Sequence, residues 1–595
     1  MRAKNLWRCL TPRVSPCLTG AVSLRPAVAL TLLLPFVVAC KGAAAGEGGP
    51  PRAAAVPVVT ATAEAAAPVE ITLVGTSDLH GRLTALPVLG GYLGVLRQKN
   101  PGGVVLVDAG DMFQGTLESN SNEGAAVIEA YKKLGYDAVA IGNHEFDYGP
   151  VGEASTVRKN ARPGPESDPR GAIKARAAQA AGAFPLLAAN LLENDRPLDW
   201  PNVAPSVLIT RHGVKVGIIG VSTMGTLQTT ISANVPGLRV VPIADAITEQ
   251  ARVLREKGAR LVFVAAHAGG ECTKTDVPTD LSSCDGASEI FEVARKLPPG
   301  AVQAIVAGHT HKAIAHQVAG IPILQSSSYG TAFGRVDFVV DPSTGKVLSA
   351  RIHPPEAVSV GGSFEGARAA PVPAVEQAIA PAVEQARARR AASLGATLTG
   401  PFPAIYREES ALGNLITSLL LELEPGADIA IGNGGGWRAD IPAGPLTYGA
   451  LYDALPFDNR KARLTMTGLA LRKAFQRNLT GRSGVLSIAG ARVEGRCEAD
   501  KLVVNIVLEG RNKAERKLED RDRVVVVTNE FLATRGDDFG PGDQVEIDED
   551  GPPFRDPLAG ILKKRAGTLK PEGWLIPGKP RIRLPGPAGP EICKR

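Results

Sequence analysis

Between residues 69 and about 340 the chain alternates short apolar runs with longer polar or amphipathic segments. Val69–Gly75, Gly103–Val107, Ala138–Ile141, Val214–Gly220, Leu261–Ala266 and Val302–Ala307 read as buried strands, because each is short, continuous and bounded by turn-forming residues. Helix-length segments separate several of them, among them Gly124–Leu134 and Ile243–Lys257. In the second of these, Ile247, Val253 and Leu254 recur at helical spacing among polar neighbours. Strands alternating with helices predict an α/β domain, in layered-sandwich form, with functional groups gathered beyond the carboxyl ends of its strands. The polar, proline-containing insert Val151–Arg170 is expected to be a surface loop.

Past residue 340 the alternation fades, and 341–371 reads as Pro-, Gly- and Ser-rich connection. The repeat Ala-Val-Glu-Gln-Ala then occurs twice within Ala374–Arg390, separated by Pro381. Val375, Ile379 and Val383 share one face there, which predicts a bent linker helix; Arg387, Arg389 and Arg390 read as its solvated face. A second mixed region follows, with strands at Leu502–Leu508 and Val524–Thr528 and helices at Leu412–Leu423, Leu469–Arg477 and Asp556–Arg565. Asp556 is placed as the cap of the last helix and Pro557 at its first position. At 595 residues the chain exceeds one ordinary core. The expected organisation is a leader at 1–40, a tether at 41–68, a first domain at 69–365, the linker helix at 366–395, a second domain at 396–585 and a tail at 586–595.

Composition adds a compartment. Arg2, Lys4, Arg8, Arg13 and Arg25 precede the apolar segment 27–39, which is shorter than the roughly 20 residues that span a bilayer. This describes a secretory signal. Val37-Val38-Ala39-Cys40 resembles a bacterial lipobox, so Cys40 is the expected lipidation site; a plain signal peptide that happens to contain a cysteine is the alternative. The expected location is periplasmic or cell-surface, with a lipid anchor to the outer membrane. The 66 basic and 60 acidic residues give a net charge of +6, too modest for a nucleic-acid-binding surface. Beyond the leader stand four cysteines, Cys272, Cys284, Cys497 and Cys593. They suggest two disulfides, with three pairings possible. Cys272 with Cys284 is the easiest, closing a short polar loop, which leaves Cys497 with Cys593.

The chemistry lies where the strands end. Asp78 and His80 follow the first strand; Asp111 follows the second, and Asn143, His144, Glu145 and Asp147 follow the third. His267, and then His309 and His311, follow two later strands, so five of the eight histidines fall at strand ends. One such histidine would be an ordinary hydrogen-bonded residue; five in one alternating domain point to a shared site. Carboxylate, imidazole and amide oxygen without thiolate suit Zn²⁺, Mn²⁺, Fe or Co. The donors are too many for one ion and about right for two. In a two-metal site, ions about 3.5–4 Å apart share a carboxylate and activate a water, whose hydroxide attacks phosphorus in line.

The set D-x-H, G-D, G-N-H-E, H and G-H-x-H resembles that of calcineurin-like metallophosphoesterases. Gly432-Asn433-Gly434-Gly435-Gly436-Trp437-Arg438, Leu455-Pro456-Phe457-Asp458-Asn459 and Thr528-Asn529-Glu530-Phe531 with Gly536-Asp537 resemble loops of the 5′-nucleotidase/UDP-sugar hydrolase type. The resemblance covers about residues 69–585. It implies a four-layer α/β/β/α metallophosphoesterase sandwich joined to a mixed α/β C-terminal substrate-binding domain. It also implies two divalent ions, one held by Asp78, His80, Asp111 and His311 and the other by Asp111, Asn143, His267 and His309. His144 would assist the leaving oxygen, with Asp147 orienting it, and Glu145 would be structural. For substrate, the resemblance implies Phe457 and Phe531 around a base, Arg438 on phosphate or ribose, Asp537 on ribose, and contacts from Arg407, Asn433 and Gly435.

The implied activity is 5′-nucleotidase, with nucleotide-sugar pyrophosphates or 2′,3′-cyclic nucleotides as further substrates. Arg535-Gly536-Asp537-Asp538 departs from the usual G-G-D-G and leaves detailed specificity open. The rivals are a thiosulfohydrolase of the same architecture, disfavoured by the two phenylalanines, and a non-catalytic surface-binding relative, disfavoured by the complete donor set.

Overall fold

Strand Val69–Thr76 opens the regular structure of the computed structural model, which describes residues 67–152, 154–158, 161–509, 514–534, 539, 543–548 and 551–594. The leader, Cys40, nearly all of the tether and Asp537 lie outside the described residues. Among the described residues no helix is long and apolar enough to cross a membrane.

Two large sheets build the N-terminal half, beside a small three-stranded and a two-stranded one. Val69–Thr76, Val104–Asp108 and Ala138–Ala140 run parallel in a seven-stranded sheet, while Val214–Ser222, Leu261–His267 and Ala304–Ala307 run parallel in a six-stranded one. All but the last of these strands start within one residue of the expected position. They are buried on both faces, which is why they read as continuous apolar runs and not as alternations. Ile71, Leu73, Val105 and Val107 of the first sheet meet Val216, Ile218, Phe263 and Val306 of the second in one core between them. Outside the first sheet pack Leu86–Lys99, Ala125–Leu134 and the linker helix; outside the second pack Ile243–Glu256 and Glu289–Lys296. The result is the four-layer α/β/β/α order.

The segment after residue 340 departs from expectation. Val347–Ala357 is an eleven-residue strand at the edge of the first sheet, paired with Ala332–Val340. Its side chains are mostly exposed or half-buried, so no apolar periodicity announces it. Pro354 and Pro355 fit because they fall at a bulge in this pairing, between the Arg335–His353 and Phe333–Glu356 pairs, on an edge strand whose outer row of backbone groups is unpaired. The linker helix runs from Pro373 to Ala391 with Pro381 inside it, and Val375 and Ile379 are buried against the first half. Its arginines are not simply a solvated face: Arg390 pairs with Glu118 and with both oxygens of Asp453.

In the C-terminal half a five-stranded sheet includes Ile429–Gly432, Arg523–Asn529 and Lys461–Thr467 at its centre. Helix Ala411–Leu423 covers one face through Leu412, Leu415 and Leu419, and Gly468–Thr480 covers the other through Leu471, Phe475 and Leu479. The first of these helices is capped by Ser410, whose hydroxyl accepts the Gly413 N–H at 2.9 Å, a contact worth about 1 kcal/mol. The final helix starts at Arg555, one residue before the expected cap. Asp556 lies inside the first turn and accepts the Tyr448 hydroxyl instead of capping, because the buried Arg555 side chain anchors the start of the helix. Disulfides join Cys272 to Cys284 and Cys497 to Cys593, as expected.

Candidate active site

The candidate residues arrive from five strands in two sheets. Val69–Thr76 leads to Asp78 and His80, Val104–Asp108 to Asp111, and Ala138–Ala140 to Asn143 and His144; Leu261–His267 ends on His267, and Ala304–Ala307 leads to His309 and His311. Five of them have left-handed backbone: Asp78 (φ 53°), His80 (48°), Asp111 (58°), His309 (76°) and His311 (57°). Non-glycine residues rarely adopt that region, and strain of this kind, about 1–3 kcal/mol per residue, persists where the surroundings over-determine it. Its concentration here marks a preorganised cluster. Gly142 is required by proximity, since a Cβ there would lie 2.2 Å from Asp111 Oδ1.

The donors form two groups. Ligand atoms of Asp78, His80 and His311 lie within 4.8 Å of one another, as do those of Asp111, His267 and His309. Asp111 Oδ2 is 3.1 Å from His267 Nε2 and 3.8 Å from His80 Nε2, so a single oxygen stands between the groups. Asn143 Oδ1 lies 3.0 Å from His267 Nε2, and its Nδ2 donates to the Thr229 carbonyl at 3.0 Å, which fixes the direction of the amide. His80 Nδ1 donates to the Gln114 carbonyl at 2.7 Å and His267 Nδ1 to the Ala109 carbonyl at 2.9 Å. Both rings therefore turn Nε2 toward the cluster.

His80 Nε2 and His311 Nε2 stand 3.0 Å apart, and Arg438 Nη2 reaches them from the C-terminal half at 3.1 and 3.2 Å. Ring nitrogens converging with carboxylates and an amide oxygen, without thiolate, fit two divalent ions of borderline or hard character. Burial pushes Asp78 up to about 7. Asp111 is held well below the usual carboxylate range, burial being outweighed by the His267 and His144 imidazoles. Burial pulls His267 down, but Asp111 beside it lifts it to about 10; His309, buried next to that cation, falls to about 3.

His144 stands beside the donors. Its backbone N–H donates to Asp111 Oδ1 at 2.9 Å, its Nδ1 meets Asp147 Oδ2 at 2.6 Å, and its ring lies 5.3 Å from that of His80. On its other side the Phe457 ring is 5.2 Å away. Glu145 takes three backbone N–H groups, from Asp111, Met112 and Gly142, and so ties two of the loops together.

Over this cluster opens a cavity of about 930 Å³, bounded on the C-terminal side by Arg407, Asn433, Gly435, Arg438, Phe457 and Phe531. Every expected substrate residue among the described ones thus lines it. The Arg438 guanidinium lies 5.7 Å from the Phe457 ring centre. Arg407 donates to the Gly481 and Ser483 carbonyls at 3.3 and 3.4 Å. Sequence reasoning missed Gln114, Thr229 and Thr230, which hold His80, Asn143 and Asp147 by hydrogen bonds. They sit in polar stretches with no distinguishing pattern.

A sequence profile described as calcineurin-like phosphoesterase matches residues 71–313, and one described as 5′-nucleotidase, C-terminal domain, matches residues 394–541. Protein UshA of Yersinia enterocolitica is 25% identical over 501 residues, which cover 76% of this chain and 82% of that one. The trifunctional nucleotide phosphoesterase protein YfkN of Bacillus subtilis is 24% identical over 81% of this chain, which spans only 33% of that longer relative. The crystal structure of a 5′-nucleotidase precursor from Thermus thermophilus shares the fold, with a TM-score of 0.68 at 23% identity over 86% of this chain and 99% of that one.

Proposed function

Since the chain belongs to the calcineurin-like phosphoesterases that carry a 5′-nucleotidase C-terminal domain, we propose that it is a two-metal phosphohydrolase that removes phosphate from nucleotides. The observation that carries this reading is the meeting of both donor groups with Arg438, Phe457 and Phe531 on one cavity. Bound by Asp78, His80, Asp111, Asn143, His267, His309 and His311, two divalent ions supply Lewis acidity and a nucleophile from water near neutral pH. The remaining work falls to the chain. Arg438 offers its planar guanidinium fork to phosphate oxygens. His144, oriented through Nδ1 by Asp147, holds a proton at Nε2 for the departing oxygen. Phe457 and Phe531 give a base apolar ring faces, which tolerate any nucleobase. Arg407, Asn433 and Gly435 complete the wall, and Asp537 is assigned to the ribose.

The same two phenylalanines favour a nucleoside over a cysteine-bound substrate, so the thiosulfohydrolase alternative is not adopted. The complete donor set argues equally against a purely binding protein. We place the enzyme outside the cytoplasm, in keeping with its two disulfides, and anchored by lipid at Cys40. The domain division at 69–365, 366–395 and 396–585 belongs to the same proposal.

The test is turnover of AMP, other monophosphates, UDP-glucose and 2′,3′-cyclic AMP with Mn²⁺ or Zn²⁺ supplied, and Asp111→Asn as the inactive control. Phosphate release from nucleotides with two ions per chain supports the reading. Metal-free protein without hydrolysis of any of them refutes it.

A further inference from the structure

The segment Leu455–Asn459, which carries Phe457, lies outside helix and strand and is held by its carbonyls. Arg555 Nη1 donates to Leu455 O at 2.6 Å and to Phe457 O at 3.3 Å, while Nη2 meets Asp458 Oδ1 at 2.5 Å. The Ser155 hydroxyl donates to Asp458 O at 3.1 Å. Asn459 O takes the Phe554 N–H at 2.9 Å, and Pro456 O accepts from Gln114 Nε2 at 2.9 Å and from Asn120 Nδ2 at 3.0 Å. Arg555 comes from the same half as the segment; Gln114, Asn120 and Ser155 come from the half that builds the donor cluster.

Gln114 alone among these faces both ways. Its backbone carbonyl takes the Nδ1 proton of His80, and its side-chain amide reaches Pro456 O. It is buried, and its Oε1 has no partner among the described residues, so what the amide contributes is the donated bond. Pro456 O and the Phe457 Cα belong to one peptide plane, which is stiff. Fixing that oxygen therefore fixes where the Phe457 side chain departs from the backbone. One residue thus links an imidazole of the donor cluster to the aromatic wall of the cavity.

We propose that Gln114 is a positioning residue that sets the span between the phosphate end and the ring end of the cavity. The inference rests on the nucleotide reading above. Substrates that reach from the donor cluster to Phe457, the nucleoside phosphates, depend on this span. A small alkyl phosphate occupying only the cluster end does not.

The experiment compares Gln114→Met, of equal length but without a donor, with wild type on AMP and on glycerol 2-phosphate, beside elemental analysis of bound metal. Loss of one neutral hydrogen bond predicts a rise of about fivefold in KM for AMP, with kcat for AMP, kcat/KM for glycerol 2-phosphate and the two ions all retained. Equal losses on both substrates, or loss of metal, overturn the inference, because the side chain then acts through His80 or through the fold. Unchanged KM for AMP in the variant overturns it alone. A wild-type enzyme that ignores AMP removes the nucleotide reading and this inference with it. Should the methionine variant not fold, Gln114→Asn keeps an interior amide that falls short of Pro456 O and gives the same readout.

Discussion

His144 Nδ1 and Asp147 Oδ2 stand 2.6 Å apart, and the other oxygen of that carboxylate receives the Thr230 hydroxyl at 2.8 Å. A carboxylate held at both ends can orient an imidazole and support its cation. His144 lies outside both donor groups, so its contribution can be separated from that of the metals. His144→Ala is therefore expected to keep both ions and to lose about two decades or more of kcat. Elemental analysis beside turnover checks this. Metal lost together with the ring would instead place His144 among the ligands.

The same pair fixes the sign of a pH effect. Burial lowers the His144 pKa, but Asp147 and then Asp111 raise it, and the net position is above the ordinary value. A group that donates this proton is competent at lower pH and fails as pH rises through its folded pKa. Asp147→Asn removes the first of the raising charges, so the alkaline limb of the kcat profile should move to lower pH. A limb that stays in place belongs to another group.

Metal uptake should release protons. In the metal-free chain Asp111 holds His267 protonated up to about 10, yet an imidazole must be neutral to bind an ion. Near neutral pH the ions therefore displace a proton from His267 and from the protonated fraction of Asp78, which stands at about 7, and affinity weakens as pH falls. Calorimetric titration with Mn²⁺ in buffers of different ionisation enthalpy measures the release. Apparent heats that do not vary with buffer would show His267 to be neutral and Asp78 ionised beforehand.

Why the site was legible and its support was not is a matter of range. Asp78, His80, Asp111 and Asn143 each follow a buried strand within a few residues, so apolar run and ligand appear together in sequence. The layered α/β class was likewise written in continuous apolar strands alternating with amphipathic helices, whereas the four-layer order was implied only by the resemblance of the motifs. Gln114 acts on Pro456 across 342 positions, and Thr230 on Asp147 across 83, through contacts that only folding creates. Val347–Ala357 escaped for a different reason: an exposed edge strand carries no burial pattern to read. Arg390 looked solvated because its partners, Glu118 and Asp453, lie on either side of it in sequence and far away.

Glu145 gives a test of how the cluster is kept in shape. Its carboxylate accepts the backbone N–H groups of Gly142 at 2.7 Å, Met112 at 2.8 Å and Asp111 at 2.9 Å, and the side chain is almost fully buried. Asp111 lies in the left-handed region, so the loop needs such restraint. Glu145→Ala leaves three interior donors without an acceptor, at about 1–3 kcal/mol each. The expected result is a loss of at least about 3 kcal/mol in unfolding free energy, measured in chelator so that bound metal does not mask it. Metal affinity should fall as well, because the bridging oxygen of Asp111 is no longer placed in advance. Glu145→Gln should fall between, as its single carbonyl oxygen cannot serve both loops while its amide NH₂ faces a donor. A stable alanine variant with weakened metal binding would show that the carboxylate shapes the loop without supporting the fold, and a variant unchanged in both would show that the His144 and His80 N–H groups suffice to hold the left-handed turn at Asp111.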